Sequence, residues 1–320
     1  MSVINRPAPV AVETDEVTVV VATRNRPDLL RETVPHHRAP TIIVDNGSDQ
    51  PLDVPGAYDA DLVPMPGLAT AGTILEGVGP DPGSAGRELD GAERRVDVVR
   101  LDENIGAAAR NTGVLWARTP FVAFADDDSY WEPGSLARAA ELLRAHPKAA
   151  LLTGRVLIGP EARPDPVSDY MATAPLGTPP GAAGPSVLGF LSCAVVVRRD
   201  AFLKAGGFLP QLFVYGEEAL LAMDLATAGH ELSYVPSLTV RHFPSPAGRD
   251  NRARIRREAR NRALTAVLRR PPAVVARVLA QVARTCPAAL GDLTGDLPWA
   301  LRHRRAVPTA VEQSLRLLNH

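Results

Sequence analysis

Short apolar runs alternate with amphipathic stretches over the first half of the chain. Val17 to Ala22 is apolar or β-branched without a break, which is typical of a strand buried on both faces of a parallel sheet. Similar runs at Thr41 to Asp45, Val96 to Leu101 and Phe121 to Ala125 predict three more strands. Strands that alternate with helices predict an α/β domain with a mostly parallel sheet.

Helical spacing and capping residues place helices between these strands. Asn25 is expected to cap a short helix that has Pro27 in its first turn. A second helix is expected at about 107–117. A third follows Pro133, where apolar residues recur at helical spacing from Leu136 to Leu143.

The second half of the chain is less regular. Strands are expected at Ala149 to Ile158 and Phe190 to Val197, and one or two short strands at Leu232 to Val240. A helix is expected from Glu217 to Ala228, ended by the glycine that follows it. From Asn251 onward the pattern is helical, first strongly basic and then amphipathic.

These patterns divide the chain into three parts. Residues 1–16 are expected to be a flexible N-terminus, 17–246 one folded domain, and 247–320 a helical extension. Within the domain, 64–95 is rich in Gly, Pro and Ala without periodicity, so we expect a flexible insertion there.

Composition excludes several classes of protein. The 320 residues are 45% hydrophobic and 22% charged, with a net charge of -1, which excludes a wholly disordered chain and a globally basic nucleic-acid binder. Two cysteines cannot form a disulfide framework, which favours a reducing compartment. Neither a secretory signal nor a sufficiently long apolar span is evident. The expected location is the cytoplasm, either free or peripheral at the inner membrane face.

Polar residues follow each of the four expected strands. They lie at Thr23 to Arg26, Asp45 to Asp49, Asp102 to Arg110 and Asp126 to Asp128. Ligands of open α/β sheets bind beyond the carboxyl ends of the strands. The sequence therefore predicts a binding site that gathers these segments at one edge of the sheet.

The run Asp126 to Asp128 carries the sharpest chemistry. Three adjacent carboxylates repel each other, and a bound cation would offset that repulsion. Hard oxygen ligands favour Mg²⁺ or Mn²⁺, whose coordination shells substrate phosphates commonly complete. The alternative is a solvated turn that caps the following helix.

Six motifs taken together resemble family 2 glycosyltransferases of the GT-A fold. They occur in that family's order and rough spacing from about Val17 to His242, and no single one is specific. The motifs are TRNRP, IVDNGS, ENIGAAARNTG, FADDDSYWEPGSL, VVVRRDAFLKAGGF and YGEEALLAMDLATAGHELSYVP.

The resemblance implies a nucleotide site. Asp126 and Asp128 match the outer carboxylates of the family's DxD motif, which bind the metal and the ribose or diphosphate of the sugar nucleotide. Asp45 matches a position that accepts a hydrogen bond from the base, although it could instead cap the turn at Asn46 and Gly47.

Further positions of this pocket follow from the same resemblance. Thr23 and Asn25 are expected to line the pocket beside Asp45. Arg110 matches an arginine near the base and the diphosphate.

The resemblance also implies an acid–base group. Glu217 and Glu218 stand where the family has an acidic pair, and its second member is the base that deprotonates the acceptor hydroxyl. Glu218 is therefore our first choice and Glu217 the second. Here the second acid is Glu where the family often has Asp, and acids in a first helical turn are also favoured by the helix dipole. His242 matches a late histidine that approaches the metal, although a histidine at a strand end can be purely structural.

The basic helix at 251–270 leaves several alternatives open. Its arginines could contact nucleic acid, an anionic membrane or the phosphates of a lipid-linked acceptor, or could form a solvated face paired with acids. The amphipathic stretch at 275–282 could lie on a membrane or pack on the domain. We expect no nucleic-acid partner and keep peripheral membrane contact as a hypothesis.

The expected function is metal-dependent transfer of a sugar, with inversion, from a UDP-, dTDP- or GDP-linked donor to an unidentified hydroxyl acceptor. Mn²⁺ or Mg²⁺ would be the cofactor. One alternative is a non-catalytic sugar-nucleotide-binding protein of the same fold. The other is a nucleotidyltransferase, which is disfavoured because TRNRP has neither glycine nor lysine.

Overall fold

The computed structural model describes residues 12–54, 57–59, 95–244 and 250–318. The expected insertion at 64–95 lies outside the described residues, apart from its last residue, and so does the N-terminus before residue 12. Residues just before the first strand are held to the domain. The carboxylate of Glu13 accepts hydrogen bonds from the backbone N–H groups of Gly134 and Leu136 at 2.8 and 2.9 Å.

Strands and helices alternate through the first half, as the sequence predicts. The strands are β1 (Val17–Thr23), β2 (Thr41–Asn46), β3 (Ala57–Asp59), β4 (Val96–Leu101), β5 (Phe121–Asp126), β6 (Ser129–Trp131), β7 (Ala149–Ile158), β8 (Arg163–Pro164), β9 (Val195–Arg198) and β10 (Glu231–His242). The helices are α1 (Pro27–Thr33), α2 (Ala109–Trp116), α3 (Ser135–Ala145), α4 (Pro166–Ala172), α5 (Arg199–Lys204), α6 (Glu217–Thr227), α7 (Asn251–Arg269), α8 (Pro272–Thr285), α9 (Ala288–Leu293), α10 (Leu297–Arg302) and α11 (Thr309–Leu317).

The described strands form one sheet in the order β3-β4-β2-β1-β5-β9-β7-β10-β6, with β8 beside β7. β1 is parallel to both of its neighbours, β2 and β5, and β4 continues the parallel part beyond β2. β9 then runs antiparallel between β5 and β7, and β6 is antiparallel to β10. The expected α/β fold with a mostly parallel sheet is confirmed.

Helices cover both faces of the sheet, so β1 has no solvent-facing side. Val19 and Val21 pack into one hydrophobic cluster with residues of α3, whereas Val20 packs into the opposite cluster with residues of α2 and α5. Gly113 of α2 lies so close to β1 that a Cβ atom there would be 2.3 Å from a methyl carbon of Val20. Burial on both faces explains the unbroken apolar run of β1.

The expected capping role of Asn25 is wrong. α1 begins at Pro27 with Arg26 at the N-cap position and without a side-chain cap. Asn25 instead adopts a left-handed backbone with φ of 57°. Its side chain exchanges two 2.9 Å hydrogen bonds with the backbone N–H and the carboxylate of Asp49. The asparagine therefore joins the loop after β1 to the loop after β2.

Two strands differ in length from the expectation. The predicted strand at Phe190 to Val197 begins only at Val195, because Ser192–Ala194 form a 3₁₀ turn. The expected short strands at Leu232 to Val240 are one twelve-residue strand, β10, whose pairing with β7 is irregular between Tyr234 and Thr239. After this irregularity, Thr239 to His242 pair with β7 again, and Val240 to His242 also pair with β6 on the other side.

The C-terminal region is helical, as expected, and packs on the domain. Leu264 and Leu268 of α7 share a hydrophobic cluster with Leu212 and Leu220, which flank the start of α6. Arg269 also pairs with the carboxylate of Asp224 on α6, at 2.5 and 3.0 Å. Among the described residues, no helix is both long and apolar enough to span a membrane.

Candidate active site

The three aspartates form the turn between β5 and β6. Asp126 ends β5, and the turn leads into β6, which pairs with the last residues of β10 so that His242 lies opposite Ser129. The backbone N–H of Phe243 also donates to the carbonyl of Asp128 at 2.8 Å. Strand pairing therefore brings a late histidine to the acidic turn.

Asp128 and His242 are in direct contact. The Nε2 atom of His242 lies 3.1 Å from a carboxylate oxygen of Asp128, which is almost fully buried. Burial by itself would lower the pKa of His242, but the hydrogen bond to Asp128 and the charges of Asp128 and Asp126 outweigh it and raise the pKa. Two of the sequence-predicted metal ligands are thus adjacent.

Asp127 is bound to residues that follow β1. Its carboxylate accepts hydrogen bonds from the hydroxyl of Thr23 at 2.8 Å and from the guanidinium of Arg26 at 3.0 Å. Burial raises the pKa of Asp127, and the Arg26 charge opposes that increase. The middle aspartate therefore anchors the turn to the sheet, which leaves its two neighbours for a ligand.

Arg110 lies between the aspartates and the acidic pair of α6. Its guanidinium donates to Asp126 at 2.5 Å and is nearly buried. Burial tends to lower the pKa of Arg110, but the charges of Asp126, Glu217 and Glu218 raise it overall. The predicted contact of Arg110 with a base and diphosphate stays a prediction. The structure places its charge between two groups of acids.

Four side chains in and around the aspartate turn carry atoms that could bind a divalent cation. One ligand atom each from Asp126, Cys193 and His242 lies within 4.8 Å of the other two, and Asp128 contacts His242. Carboxylate oxygens and an imidazole nitrogen suit Mn²⁺ or Mg²⁺, and they also suit Zn²⁺. The donors present therefore fit the cation that the family resemblance implies.

The predicted nucleotide residues lie at the ends of β1 and β2. Thr23 and Asp45 are direct neighbours in the parallel register of the two strands. One carboxylate oxygen of Asp45 accepts from the backbone N–H of Ser48 at 3.0 Å, while the other is buried without a hydrogen-bond partner. Arg100 approaches that second oxygen to 3.9 Å. Asp45 therefore does cap a turn, and one of its oxygens remains for a further donor.

Asn46 organises the loop after β4. Its side chain donates to the carbonyl of Gly106 at 3.1 Å and to the side chain of Asn104 at 3.0 Å, and it accepts from the backbone N–H of Ile105 at 2.9 Å. Asn25 is exposed beside this region, and its side chain is engaged by Asp49. The loops after three strands are thus fastened together at the sheet edge.

The acidic pair occupies the first turn of α6. Glu217 is buried, and one of its carboxylate oxygens has no hydrogen-bond partner. Burial, and after it the charge of Glu218, raises the pKa of Glu217 from 4.5 to about 8. Burial likewise raises the pKa of Glu218, although Ser192 donates a 2.8 Å hydrogen bond to its carboxylate. Perturbed carboxylates of this kind are typical of acid–base sites.

α7 holds the loop that leads into this pair. Phe213 and Tyr215 have positive φ angles of 60° and 75°, which non-glycine residues rarely adopt. The buried amide nitrogen of Asn261 lies 2.8, 2.9 and 2.7 Å from the carbonyl oxygens of Leu212, Val214 and Tyr215, so its two N–H groups are shared among three acceptors. The C-terminal helices therefore support the site directly.

Sequence reasoning missed three residues of this region: Ser192, Cys193 and Asn261. Arg26 belongs to a polar segment predicted to lie at this edge, but the sequence assigns it no role of its own. Ser192 and Cys193 lie near the start of an expected strand, so the sequence pattern includes them in that strand. No sequence signal distinguishes Asn261 from its helical neighbours.

Comparisons with known proteins concern the family and the fold of the chain. The family model described as "Glycosyl transferase family 2" matches residues 86–205. The "Pre-mycofactocin glycosyltransferase" of Mycobacterium tuberculosis (strain ATCC 25618 / H37Rv) is 31% identical over 237 residues, which are 71% of this chain and 42% of the relative. The "N-acetylglucosaminyl-diphospho-decaprenol L-rhamnosyltransferase" of the same strain is 29% identical over 175 residues, 48% of this chain and 56% of the relative. The chain spans about half the length of these curated relatives.

Solved structures share the fold. The crystal structure of GalNAc-T7 with UDP, GalNAc and Mn²⁺ aligns with a TM-score of 0.59 at 12% identity, over 96% of this chain and 58% of that one. The crystal structure of S. aureus TarS 1-349 aligns with a TM-score of 0.53 at 15% identity, over 93% and 82%. At these identities the likeness concerns the fold.

The fold and the polar sheet edge together define a GT-A-type protein. The matched family model covers residues 86–205, and the curated relatives are named glycosyltransferases, so the chain resembles family 2 glycosyltransferases. The resemblance drawn from the six motifs is thereby confirmed. The matched residues 86–205 include the aspartate turn and Arg110 but end before the acidic pair of α6.

Proposed function

We propose that the protein transfers a sugar from a nucleoside diphosphate to an acceptor hydroxyl with inversion at the anomeric carbon. One observation carries the proposal. The guanidinium of Arg110 interacts electrostatically with Asp126 on one side and with Glu217 and Glu218 on the other. It therefore links the cation donors Asp126, Asp128 and His242 to the protonatable pair of α6.

The donor would lie along the carboxyl ends of the parallel strands. Asp45, with one buried oxygen that has no hydrogen-bond partner, is our candidate acceptor of a hydrogen bond from the base. Thr23 and Asn25 would frame that pocket, Thr23 through its hold on the aspartate turn and Asn25 through its link to the loop after β2. Asp126 would contact the ribose or the diphosphate of the donor. The Asp126 carboxylate and the diphosphate would then compete for the guanidinium of Arg110.

Asp126, Asp128 and His242 would hold a divalent cation, Mn²⁺ or Mg²⁺. A bound cation of this kind offsets the negative charge that develops on a departing diphosphate. Arg110 is placed to do part of the same work, because its charge is held beside Asp126 in a site of low exposure. Release of Asp126 by Arg110 would free the guanidinium for the diphosphate.

Glu218 is proposed as the base that takes the proton of the acceptor hydroxyl, with Glu217 as the second choice. A raised pKa makes a carboxylate a stronger proton acceptor once it is ionised, and Ser192 orients the carboxylate of Glu218. One base on the acceptor side is sufficient for a single direct displacement, which inverts the configuration at carbon.

The acceptor is proposed only as a hydroxyl compound. The names of the two curated relatives indicate different acceptors, a pre-mycofactocin and a diphospho-decaprenol. Exposed arginines in the first turns of α7 support testing a phosphorylated or lipid-linked acceptor, and with it a peripheral membrane location.

Calorimetric titration with UDP, dTDP and GDP tests the donor half of this function. Each nucleotide would be titrated with Mn²⁺, with Mg²⁺ and with EDTA. We expect one nucleotide to bind in a cation-dependent manner. Failure of all three to bind the folded protein would overturn the assignment of Asp126 and Asp128.

Substitution of the base tests catalysis. Glu218→Gln should lower turnover by about 10²- to 10⁴-fold while nucleotide binding persists. Glu231→Gln, at the start of β10, is the matched control and should leave turnover unchanged. Full activity of both Glu218→Gln and Glu217→Gln would remove the base assignment. Nucleotide binding without any turnover by the wild-type protein would favour a non-catalytic sugar-nucleotide-binding protein. Formation of a sugar nucleotide from a sugar phosphate would favour a nucleotidyltransferase.

A further inference from the structure

Cys193 lies at the cation donors although no sequence pattern pointed to it. It is 4% exposed, in the 3₁₀ turn just before β9. Its Sγ atom, a carboxylate oxygen of Asp126 and a ring nitrogen of His242 all lie within 4.8 Å of one another. The site therefore presents oxygen, nitrogen and sulfur ligands from three separate elements.

Strand pairing explains the position of the thiol. β9 runs antiparallel to β5, with Val195 opposite Phe124. The 3₁₀ turn Ser192–Ala194 leads directly into β9, so this pairing sets the turn, and with it Cys193, beside the carboxyl end of β5, where Asp126 lies. The turn is fixed from the other side, because Thr153 of β7 donates to the carbonyl of Ala194 at 3.1 Å. The thiol position is thus determined by the sheet and not by a free loop.

Cys193 has polar as well as apolar neighbours. It belongs to a hydrophobic cluster with Ala194 and Val196, while its thiol lies within 4.8 Å of the donor atoms of Asp126 and His242. A cation held among these donors would bind Cys193 as the thiolate, because a coordinated thiol loses its proton.

The distances require only a small adjustment. Bonds of about 2.0 to 2.3 Å to a tetrahedral cation place its ligand atoms roughly 3.3 to 3.8 Å apart, so the three side chains would close by about 1 Å. Asp128 would then orient the His242 ring, as carboxylates commonly do for metal-binding histidines.

We infer that Cys193 is a ligand of the divalent cation together with Asp126 and His242, which makes this site selective for cations that accept sulfur, such as Zn²⁺ and Co²⁺, over Mg²⁺. The inference rests on the cation part of the proposed function. It adds Cys193 to the donors Asp126, Asp128 and His242 named there, and it ranks sulfur-accepting cations above Mg²⁺. Thiolate ligands favour zinc-like metals, whereas magnesium prefers oxygen and water.

Cobalt titration provides a direct spectroscopic test. Co²⁺ bound by a thiolate shows a sulfur-to-metal charge-transfer band in the near ultraviolet, in addition to its visible bands. We expect this band in the wild-type protein and in Cys286→Ser, which removes the other cysteine of the chain. Cys193→Ser and Cys193→Ala should lack it and bind Co²⁺ at least about tenfold more weakly. Circular dichroism would verify that each variant is folded.

A second measurement does not depend on how Cys193 variants fold. Zinc X-ray absorption of the Cys286→Ser protein with one equivalent of Zn²⁺ should show one sulfur neighbour at about 2.3 Å. Absence of sulfur there, or a charge-transfer band that survives in Cys193→Ser, would overturn the inference.

The outcomes separate this inference from the proposed function. Cation-dependent nucleotide binding without any metal–sulfur signal would remove Cys193 from the site and leave the transferase proposal standing. No binding of Co²⁺, Zn²⁺ or Mn²⁺ at all would overturn both the cysteine ligand and the metal dependence.

Discussion

Two groups of acids face one another across Arg110, and the structure treats them differently. The aspartate turn after β5 meets cationic partners directly, with Arg26 at 3.0 Å from Asp127, Arg110 at 2.5 Å from Asp126 and His242 at 3.1 Å from Asp128. The glutamates of α6 have a hydroxyl from Ser192 and only the more distant charge of Arg110.

This difference suits the aspartates to ligand binding and the glutamates to proton transfer. Acids that cluster with donors and cations are suited to hold a metal or a phosphate-linked ligand. Acids that are buried with weak compensation keep their protons to higher pH, as the pKa of about 8 for Glu217 indicates. Two carboxylate groups with different environments can therefore supply two kinds of chemistry within one site.

The two groups also depend on different parts of the chain. The aspartate turn is fastened by strand pairing within the sheet, through Thr23 and the end of β10. The glutamates depend on the loop before α6, which Asn261 of the C-terminal helices holds by its buried amide. Separate supports mean that each group can be perturbed without the other.

Removing one charge from the aspartate turn should have the largest effect. Asp128→Asn keeps the shape of the side chain but weakens cation binding, so we expect turnover to fall by about 10²- to 10³-fold. Manganese titration and kcat would measure the loss. Asp200→Asn on the surface of α5 is the control and should behave like the wild type. An Asp128→Asn protein with unchanged metal affinity would contradict the division of roles.

Weakening the hydrogen bonds that hold the loop before Glu217 and Glu218 should have the second-largest effect. Asn261→Ala leaves three carbonyls of a strained loop without their donor, which should cost about 1–3 kcal/mol of unfolding free energy. Displacement of the base should lower kcat by about tenfold with little change in nucleotide affinity. Urea unfolding, kinetics and nucleotide titration measure these effects.

Asn251→Ala, at the exposed start of the same helix, is the matched control for Asn261. It should leave stability and kcat unchanged. If Asn261→Ala lowers nucleotide affinity as much as kcat, the aspartate turn and the glutamates both depend on Asn261, which would contradict the proposal that they are held separately.

The pH dependence should be governed by the glutamates. Because burial raises the pKa of both, the folded state holds more protons than the unfolded chain above pH 4.5, and stability should fall as pH rises towards about 8. Turnover should also rise with pH as the base Glu218 ionises, because burial raises its pKa too. Glu217→Gln should reduce the loss of stability and move the rise in turnover to lower pH, because Glu218 loses a negative neighbour.

Thermal unfolding and kcat measured from pH 5 to pH 9 would test both trends. If the pH profiles of stability and activity are the same in Glu217→Gln and in the wild type, the raised pKa of Glu217 does not govern them.

The smallest expected effect concerns the hydroxyl of Ser192. Ser192→Ala removes a hydrogen bond of about 1 kcal/mol from the ionised form of Glu218, which raises the pKa of Glu218 further and should lower turnover about two- to fivefold at neutral pH. The deficit should shrink at higher pH. Ser233→Ala, whose buried hydroxyl has no hydrogen-bond partner, should show no such pH-dependent deficit.

Much of the fold was predictable because its signals are local. The apolar runs of β1, β2, β4 and β5 and the spacing of α3 depend only on burial and helical periodicity. The location of the aspartate turn was predictable for the same reason, since residues that follow parallel strands share one edge. The roles assigned to Asp45, Arg110, Glu218 and His242 stay predictions until they are tested.

The sequence by itself thus determined the strand and helix pattern, the family resemblance and the edge at which polar residues gather. Only the tertiary structure decided which of those residues meet. The pairing of β6 with β10 brings His242 to Asp128, and the turn that leads into β9 brings Cys193 to Asp126. Packing of α7 brings Asn261 to the loop before Glu217. These contacts join residues far apart in the chain, and a contact between distant segments depends on sheet order and helix packing, which no local pattern specifies.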